Sequence, residues 1–145
     1  MTSLDDVAAL ARQDHGLAIV STLREDGTIH ASLVNAGVLD HPITGEPHVV
    51  FVTYGKVKLT NLRRRPQTTV TFRAGWQWAS VDGVAEVIGP DDPHEGVDPE
   101  RLRILLREAF VAAGGTHDDW DEYDRVMARE RRAAVFVRPR RIYPN

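Results

Sequence analysis

Apolar and polar positions predict strands in five stretches of this chain, Leu17–Arg24, Thr28–Val38, His48–Tyr54, Gln67–Arg73 and Trp78–Gly89. The apolar run Val49–Tyr54 reads as a buried strand. Asp26-Gly27, following Glu25, separates the first two and is a strong hairpin signal, and His41–Pro47 supplies a second turn. Gly83, inside the longest stretch, predicts a bulge or bend. Helical periodicity appears between and after these strands. Ser3 can cap a helix from Leu4 to about Gln13, with Asp5 and Asp6 in its first turn and Gly16 beyond its end. A short cationic helix is expected over about Lys58–Arg64, entered through Gly55 and stopped by Pro66.

After a polar loop, Pro90–Pro99, the residues Leu102, Leu105, Leu106, Ala109, Phe110 and Ala113 fall at offsets 0, 3, 4, 7, 8 and 11. That is one amphipathic helical face, broken by Gly114-Gly115. A further helix begins near Asp118, with Trp120, Tyr123 and Met127 on one stripe. Ala133–Val137 and Arg141–Tyr143 read as two closing strands. Six or seven short strands with peripheral helices predict a mainly β, α+β chain: a small antiparallel barrel in one domain over residues 1–145. The first connections are too short for parallel crossovers.

Composition narrows the function. The chain has no cysteine, which excludes disulfides, thiolate metal sites and thiol nucleophiles. No apolar run is long enough to span a membrane, and the acidic start MTSLDDVAAL predicts a cytoplasmic protein without a signal peptide. A net charge of −3 and a pI near 6.0 argue against nucleic acid as partner. Positive charge is local instead. Lys56, Lys58, Arg63, Arg64 and Arg65 fall within ten residues, and the two lysines are the only lysines beside sixteen arginines.

A strand that turns through glycine into a helix offers free N–H groups and a positive dipole end to an anion. Lys56 and Lys58 stand at that end, where the dipole repels cations, so a bound phosphate would explain them. Lys58, Asn61 and Arg65 share one helical face. Arg63–Arg65 fit either the same anion or a solvated helix end. Trp76 and Trp78 would form a flat wall for a ring system, or else fill core or interface. His30 and Ser32 alternate on the second strand, toward a ligand or simply toward solvent. No second histidine or carboxylate stands at metal-ligand spacing near His30, and no HExxH pattern or GxSxG elbow is present. The acidic run Asp118–Asp124 reads as a solvated helix start, and metal catalysis is not expected. A phosphate cradle with little chemistry of its own suits a borrowed cofactor.

The run Lys58-Leu59-Thr60-Asn61-Leu62-Arg63-Arg64-Arg65-Pro66 resembles the K-x-x-N-L-R-R-x-P signature of the flavin- and deazaflavin-dependent split-barrel oxidoreductases, relatives of pyridoxamine 5′-phosphate oxidase. Asp26-Gly27 with His30 and Ser32 resembles that family's D-G-x-P-x-x-S hairpin, with Ile29 where proline is common. Trp76–Gly83 resembles its aromatic strand. Asp119–Tyr123 and Arg131-Arg132 resemble the deazaflavin branch, while Arg65 stands where aspartate is frequent. The resemblance implies a split β-barrel that forms a homodimer, with a cofactor groove at each side of the interface. Thr53, Lys56 and Lys58, with Val57 and Asn61 of the same segment, would hold the cofactor's phosphate and acidic tail. His30, Ser32 and Trp78 would line its ring, and Arg132 would lie near the groove. The implied cofactor is coenzyme F420, with FMN as alternative. The implied activity is hydride transfer to an electron-poor double bond of a small substrate such as an enone, a lactone or a bilin. Carriage of a cofactor, haem or another tetrapyrrole without turnover is the competing expectation.

Overall fold

Short turns force neighbouring strands antiparallel, and here they close the sheet on itself. The computed structural model describes residues 3–144. Its elements are α1 (Leu4–Arg12), β1 (Leu17–Leu23), β2 (Ile29–Asp40), β3 (Pro47–Thr53), α2 (Lys56–Arg64), β4 (Gln67–Ala74), β5 (Gln77–Ile88), α3 (Pro99–Ala112), α4 (Trp120–Arg129) and β6 (Ala133–Pro144). The six strands form a closed barrel in the order β1-β2-β3-β6-β5-β4. The fold is therefore the expected antiparallel barrel with helices around it.

Two boundaries differ from the sequence reading, both for local reasons. The expected pair of closing strands is one strand, β6. Asp82 pairs with Arg141 and Gly83 with Pro139, so Arg140 is the extra residue of a bulge that lets β6 run through a proline. Gly83 is required there, because a Cβ would lie 2.2 Å from the Arg138 carbonyl oxygen. Helix α2 begins at Lys56 rather than Lys58, because Gly55 is its N-cap.

Alternation sends Val20, Phe51, Val70, Phe72, Val81 and Val135 into the barrel. Helix α1 precedes β1 and closes one end with Val7, Leu10 and Ala11, while α2 precedes the antiparallel β4 and closes the other with Leu59 and Leu62. A second core lies outside the barrel, where Val50, Ala134 and Phe136 pack under Leu105, Leu106 and Ala109 of α3 and Tyr123 and Met127 of α4. The Tyr123 hydroxyl donates to the Leu106 carbonyl at 2.7 Å, and burial pushes that phenol up to about 12. The remaining outer face, over β1, β2, β4, β5 and the end of β6, leaves Ile19, Ile29, Leu33, Trp78 and Tyr143 exposed.

One irregularity positions the site. β2 pairs with β1 from Ile29 to Asn35, but with β3 only from Ala36 to Asp40. Among the described residues, the first half of β2 has no ladder on its β3 side. The barrel is split there, and α2 follows beside the opening.

Candidate functional site in the barrel split

Polar side chains gather at this split. Thr53 ends β3, and α2 begins three residues later, at Lys56, which brings Lys58 back over the strand end. The Lys58 Nζ donates to Thr53 Oγ1 at 3.1 Å. Lys58 is only 8% exposed, and it lies just under the surface at the end of the barrel. Burial holds its ammonium below the ordinary lysine range. Among the described residues it has no ion-pair partner. An ammonium with three donors and one neutral acceptor is incompletely satisfied.

One helical turn further, Asn61 Nδ2 donates to Thr22 Oγ1 at 3.0 Å. Thr22 stands opposite His30 in the β1–β2 ladder and reaches the His30 carbonyl at 3.4 Å. Helix α2 is thereby tied to both strands beside the split. His30 Nδ1 and Ser32 Oγ are buried, and neither has a hydrogen-bond partner among the described residues. At the helix entrance, Gly55 gives no side-chain cap and no acidic residue occupies the first turn. The free N–H groups of that turn meet an anion's requirements.

The other expected contacts divide. Lys56 and Val57 are exposed on the first turn of α2. The arginine run is not one solvated group. Arg63 forms a two-bond ion pair with Asp92 (2.8 and 2.6 Å), and Arg65 Nε donates to the Leu23 carbonyl at 2.9 Å. Arg64 remains exposed. Arg132 follows the positive-φ residue Arg131, bonds Glu130 Oε1 at 2.8 Å and stacks over the Tyr54 ring at 4.1 Å. Tyr54 adjoins Thr53, so Arg132 does stand near the lysine turn.

Trp78 does not join this cluster within one chain. It sits opposite Arg73 at the far end of β4, roughly 20 Å along the strand from α2. Trp76 lies in the turn before it, 95% exposed, so the two tryptophans do not share a strand face. Thr22 was not among the expected site residues. Its signal was a polar residue at an inward position, in step with Ala18 and Val20.

Solved structures share this fold. The conserved hypothetical protein Rv2991 from Mycobacterium tuberculosis is 22% identical, with a TM-score of 0.70 over 99% of this chain and 84% of that one. An F420 reductase is 14% identical, with a TM-score of 0.61 over 92% and 93%. A pyridoxamine 5′-phosphate oxidase-related, FMN-binding protein from Nostoc punctiforme is 11% identical, with a TM-score of 0.64 over 95% and 81%. At these identities the likeness is one of fold. The pyridoxamine 5′-phosphate oxidase family model matches residues 4–138, nearly the whole barrel and the split described above, and the chain belongs to that family.

Proposed function

We propose that this protein is a homodimeric reductase that uses coenzyme F420 to reduce an electron-poor double bond of a small organic substrate. The observation that carries the reading is Lys58. Among the described residues its buried ammonium has a neutral hydroxyl as its only partner, beside an uncapped helix start and two orphaned polar atoms. A ligand with an anionic group and a polar ring edge would complete all three. When bound, the reduced deazaflavin supplies a hydride equivalent to the substrate.

The chain's own residues would bind and orient. Lys58 and the first-turn N–H groups of α2 hold the phosphate, with Thr53 fixing the lysine's direction. His30 Nδ1 and Ser32 Oγ face the ring edge, and Asn61 keeps α2 attached to Thr22. Arg63 and Arg65 are spent on tethers, which leaves Lys56, Lys58 and Arg64 for the ligand. Three cations suit the several charges of an F420 tail better than a single flavin phosphate. Positioning of this kind supplies up to ~7–11 kcal/mol in favourable cases.

The dimer belongs to the same reading. A second copy docked antiparallel on the exposed face of β1, β2, β4 and β5 would cover Ile19, Ile29 and Leu33. It would also carry its own Trp78 toward the α2 end of its neighbour, in an isologous arrangement. This would complete a ring wall that one chain lacks.

Titration of the purified protein with F420, followed by the cofactor's fluorescence, tests the assignment. Saturable binding that weakens as salt rises is expected. Turnover is then sought with the reduced cofactor against enones, lactones and bilins. A flavin absorption band in the purified protein, with no F420 binding, would replace the proposal with FMN chemistry. A Soret band would replace it with haem carriage.

A further inference from the structure

Away from the split, three side chains far apart in sequence converge on the outer side of the barrel. His41 opens the β2–β3 connection, Glu86 lies on β5, and His94 lies in the segment between β5 and α3. Glu86 Oε1 is 2.5 Å from His41 Nε2, and Glu86 Oε2 is 3.2 Å from His94 Nε2. All three ligand atoms lie within 4.8 Å of one another. Local spacing gave no sign of this, because the residues meet only through the fold.

The hydrogen bonds of the outer ring nitrogens decide what each histidine offers. His94 Nδ1 is 2.8 Å from the Glu95 carbonyl oxygen, which can only accept, so that nitrogen carries the proton. In the neutral ring, Nε2 then aims a lone pair at a carboxylate oxygen. Two acceptors facing each other at this distance call for a cation between them. The spacing fits one: two ligands bound to zinc at tetrahedral angles stand about 3.3 Å apart. A histidine whose other nitrogen donates to a backbone carbonyl is also oriented as metal-bound histidines are.

His41 offers the reverse. Its Nδ1 accepts from the backbone N–H groups of Ile43 (3.1 Å) and Thr44 (3.3 Å), so its proton sits on Nε2 and is donated to Glu86 Oε1. The ring is 6% exposed and packs against His48 and Phe136, which fixes its direction. His41 is therefore a positioning residue that aims the carboxylate.

We propose that Glu86 Oε2 and His94 Nε2 bind a divalent cation of zinc type, with water in the remaining positions and His41 holding Glu86 in place. Imidazole with carboxylate is a donor set suited to zinc and its borderline neighbours. The ion would fasten the segment between β5 and α3 to the barrel. That segment also carries Asp92, which pairs with Arg63 of α2, and Asp91, which pairs with Arg131. The segment that the ion would fasten is thus also joined to the helix that supplies Lys58.

Isothermal titration of untagged, chelator-stripped protein with zinc chloride tests the site. One ion per chain is expected, together with a zinc-dependent rise in Tm. His94→Ala and Glu86→Gln should each weaken binding at least tenfold. His41→Phe, which keeps the packing and removes the donor, should weaken it roughly 10–100-fold. His117→Ala, at a distant histidine, should leave it unchanged. Cobalt-loaded protein gives a second readout, since its visible spectrum should alter in His41→Phe and revert to the aqueous ion in His94→Ala. Circular dichroism establishes that each variant is folded. Equal zinc affinity in wild type and His94→Ala, or no binding by the wild type, would overturn the proposal and leave a His94 imidazolium–Glu86 ion pair.

Discussion

Replacing Lys58 with methionine separates a lysine kept for a ligand from one kept for the fold. In the free protein the ammonium is buried beside one neutral hydroxyl, and burial holds its pKa below the ordinary 10.5. The charged form is thus disfavoured by folding. Methionine keeps an unbranched chain of similar reach, so the barrel end stays filled while that desolvation cost disappears. Thr53 Oγ1 still accepts from the Gly55 N–H at 3.3 Å. The free variant should therefore have a Tm equal to or above that of the wild type. The gap has a definite pH dependence. Between the lowered folded pKa and 10.5, the unfolded chain binds more protons than the folded one, so wild-type stability rises with pH in that window. The advantage of the variant should be largest near neutrality and should shrink toward 10.5.

Binding moves the other way. Loss of one charge-assisted hydrogen bond costs about 1.5–3 kcal/mol, a tenfold to hundredfold weaker Kd for F420. An anion bound to Lys58 raises that lysine's pKa, so wild-type affinity should fall at alkaline pH, and the variant's should fall less. Scanning fluorimetry of the free proteins and cofactor titration at several pH values supply both measurements. A variant that binds as tightly as wild type refutes the phosphate role. A variant whose free form loses several degrees of Tm at neutral pH refutes the claim that the lysine is held at a cost.

Leu33→Asp places a charge on the exposed sheet face opposite Ile19. It should halve the mass measured by sedimentation without changing the circular dichroism spectrum, and a monomeric wild type would sink the dimer proposal. Asp124→Asn tests the α3–α4 clamp. Hydrogen bonds from Arg107 and Arg103 hold that carboxyl below its usual range, against the upward pull of burial. Its stabilisation is present above the unfolded pKa near 3.8 and is lost as pH falls through the lower folded value, so the variant's Tm deficit at pH ~7 should close on acidification. A deficit that persists in acid would assign the loss to packing. Gly37→Ala puts a Cβ 2.0 Å from the Ala112 carbonyl oxygen of α3. Overpacking there should cost about 1–3 kcal/mol, a Tm drop of several degrees, and an unchanged melting curve would contradict that contact.

Local chemistry made much of this legible in the sequence. Asp26-Gly27, the strand-like runs and Gly55 before the cationic helix each act over a few residues, and each lies where the pattern put it. Three features needed the whole fold. The partners of Arg63 and Arg65 are Asp92 and the Leu23 carbonyl, 29 and 42 residues away, so a helix-end arginine could not be told from a tether. Pro139 lies between the two expected closing strands, and the bulge opposite Gly83 absorbs it so that they run as one. The split is hidden for a subtler reason. Burial alternates unbroken from Ile29 to Ala36, where the β3 ladder begins, and periodicity says which way side chains point but not where a ladder stops.

The inward polar residues beside the split show which part of the site is scaffold. Thr22, Thr53, Asn61 and Thr68 are buried, and each side chain makes a hydrogen bond within the chain. They need nothing from a ligand. Lys58, His30 and Ser32 stand among them with capacity left over, on side chains that a barrel selected for stability alone would replace with valine or leucine. The remainder is specific: spare ammonium donors at the start of an uncapped helix, and an imidazole nitrogen and a hydroxyl on the adjoining strand. Negative charge is required at the first position, and hydrogen-bonding atoms are required at the second. A simple phosphate meets only the first requirement, and an uncharged ring meets only the second. A ring compound with a phosphate-bearing arm meets both, so the unsatisfied residues carry the class of cofactor, and the number of cations bears only on the choice of F420 over FMN.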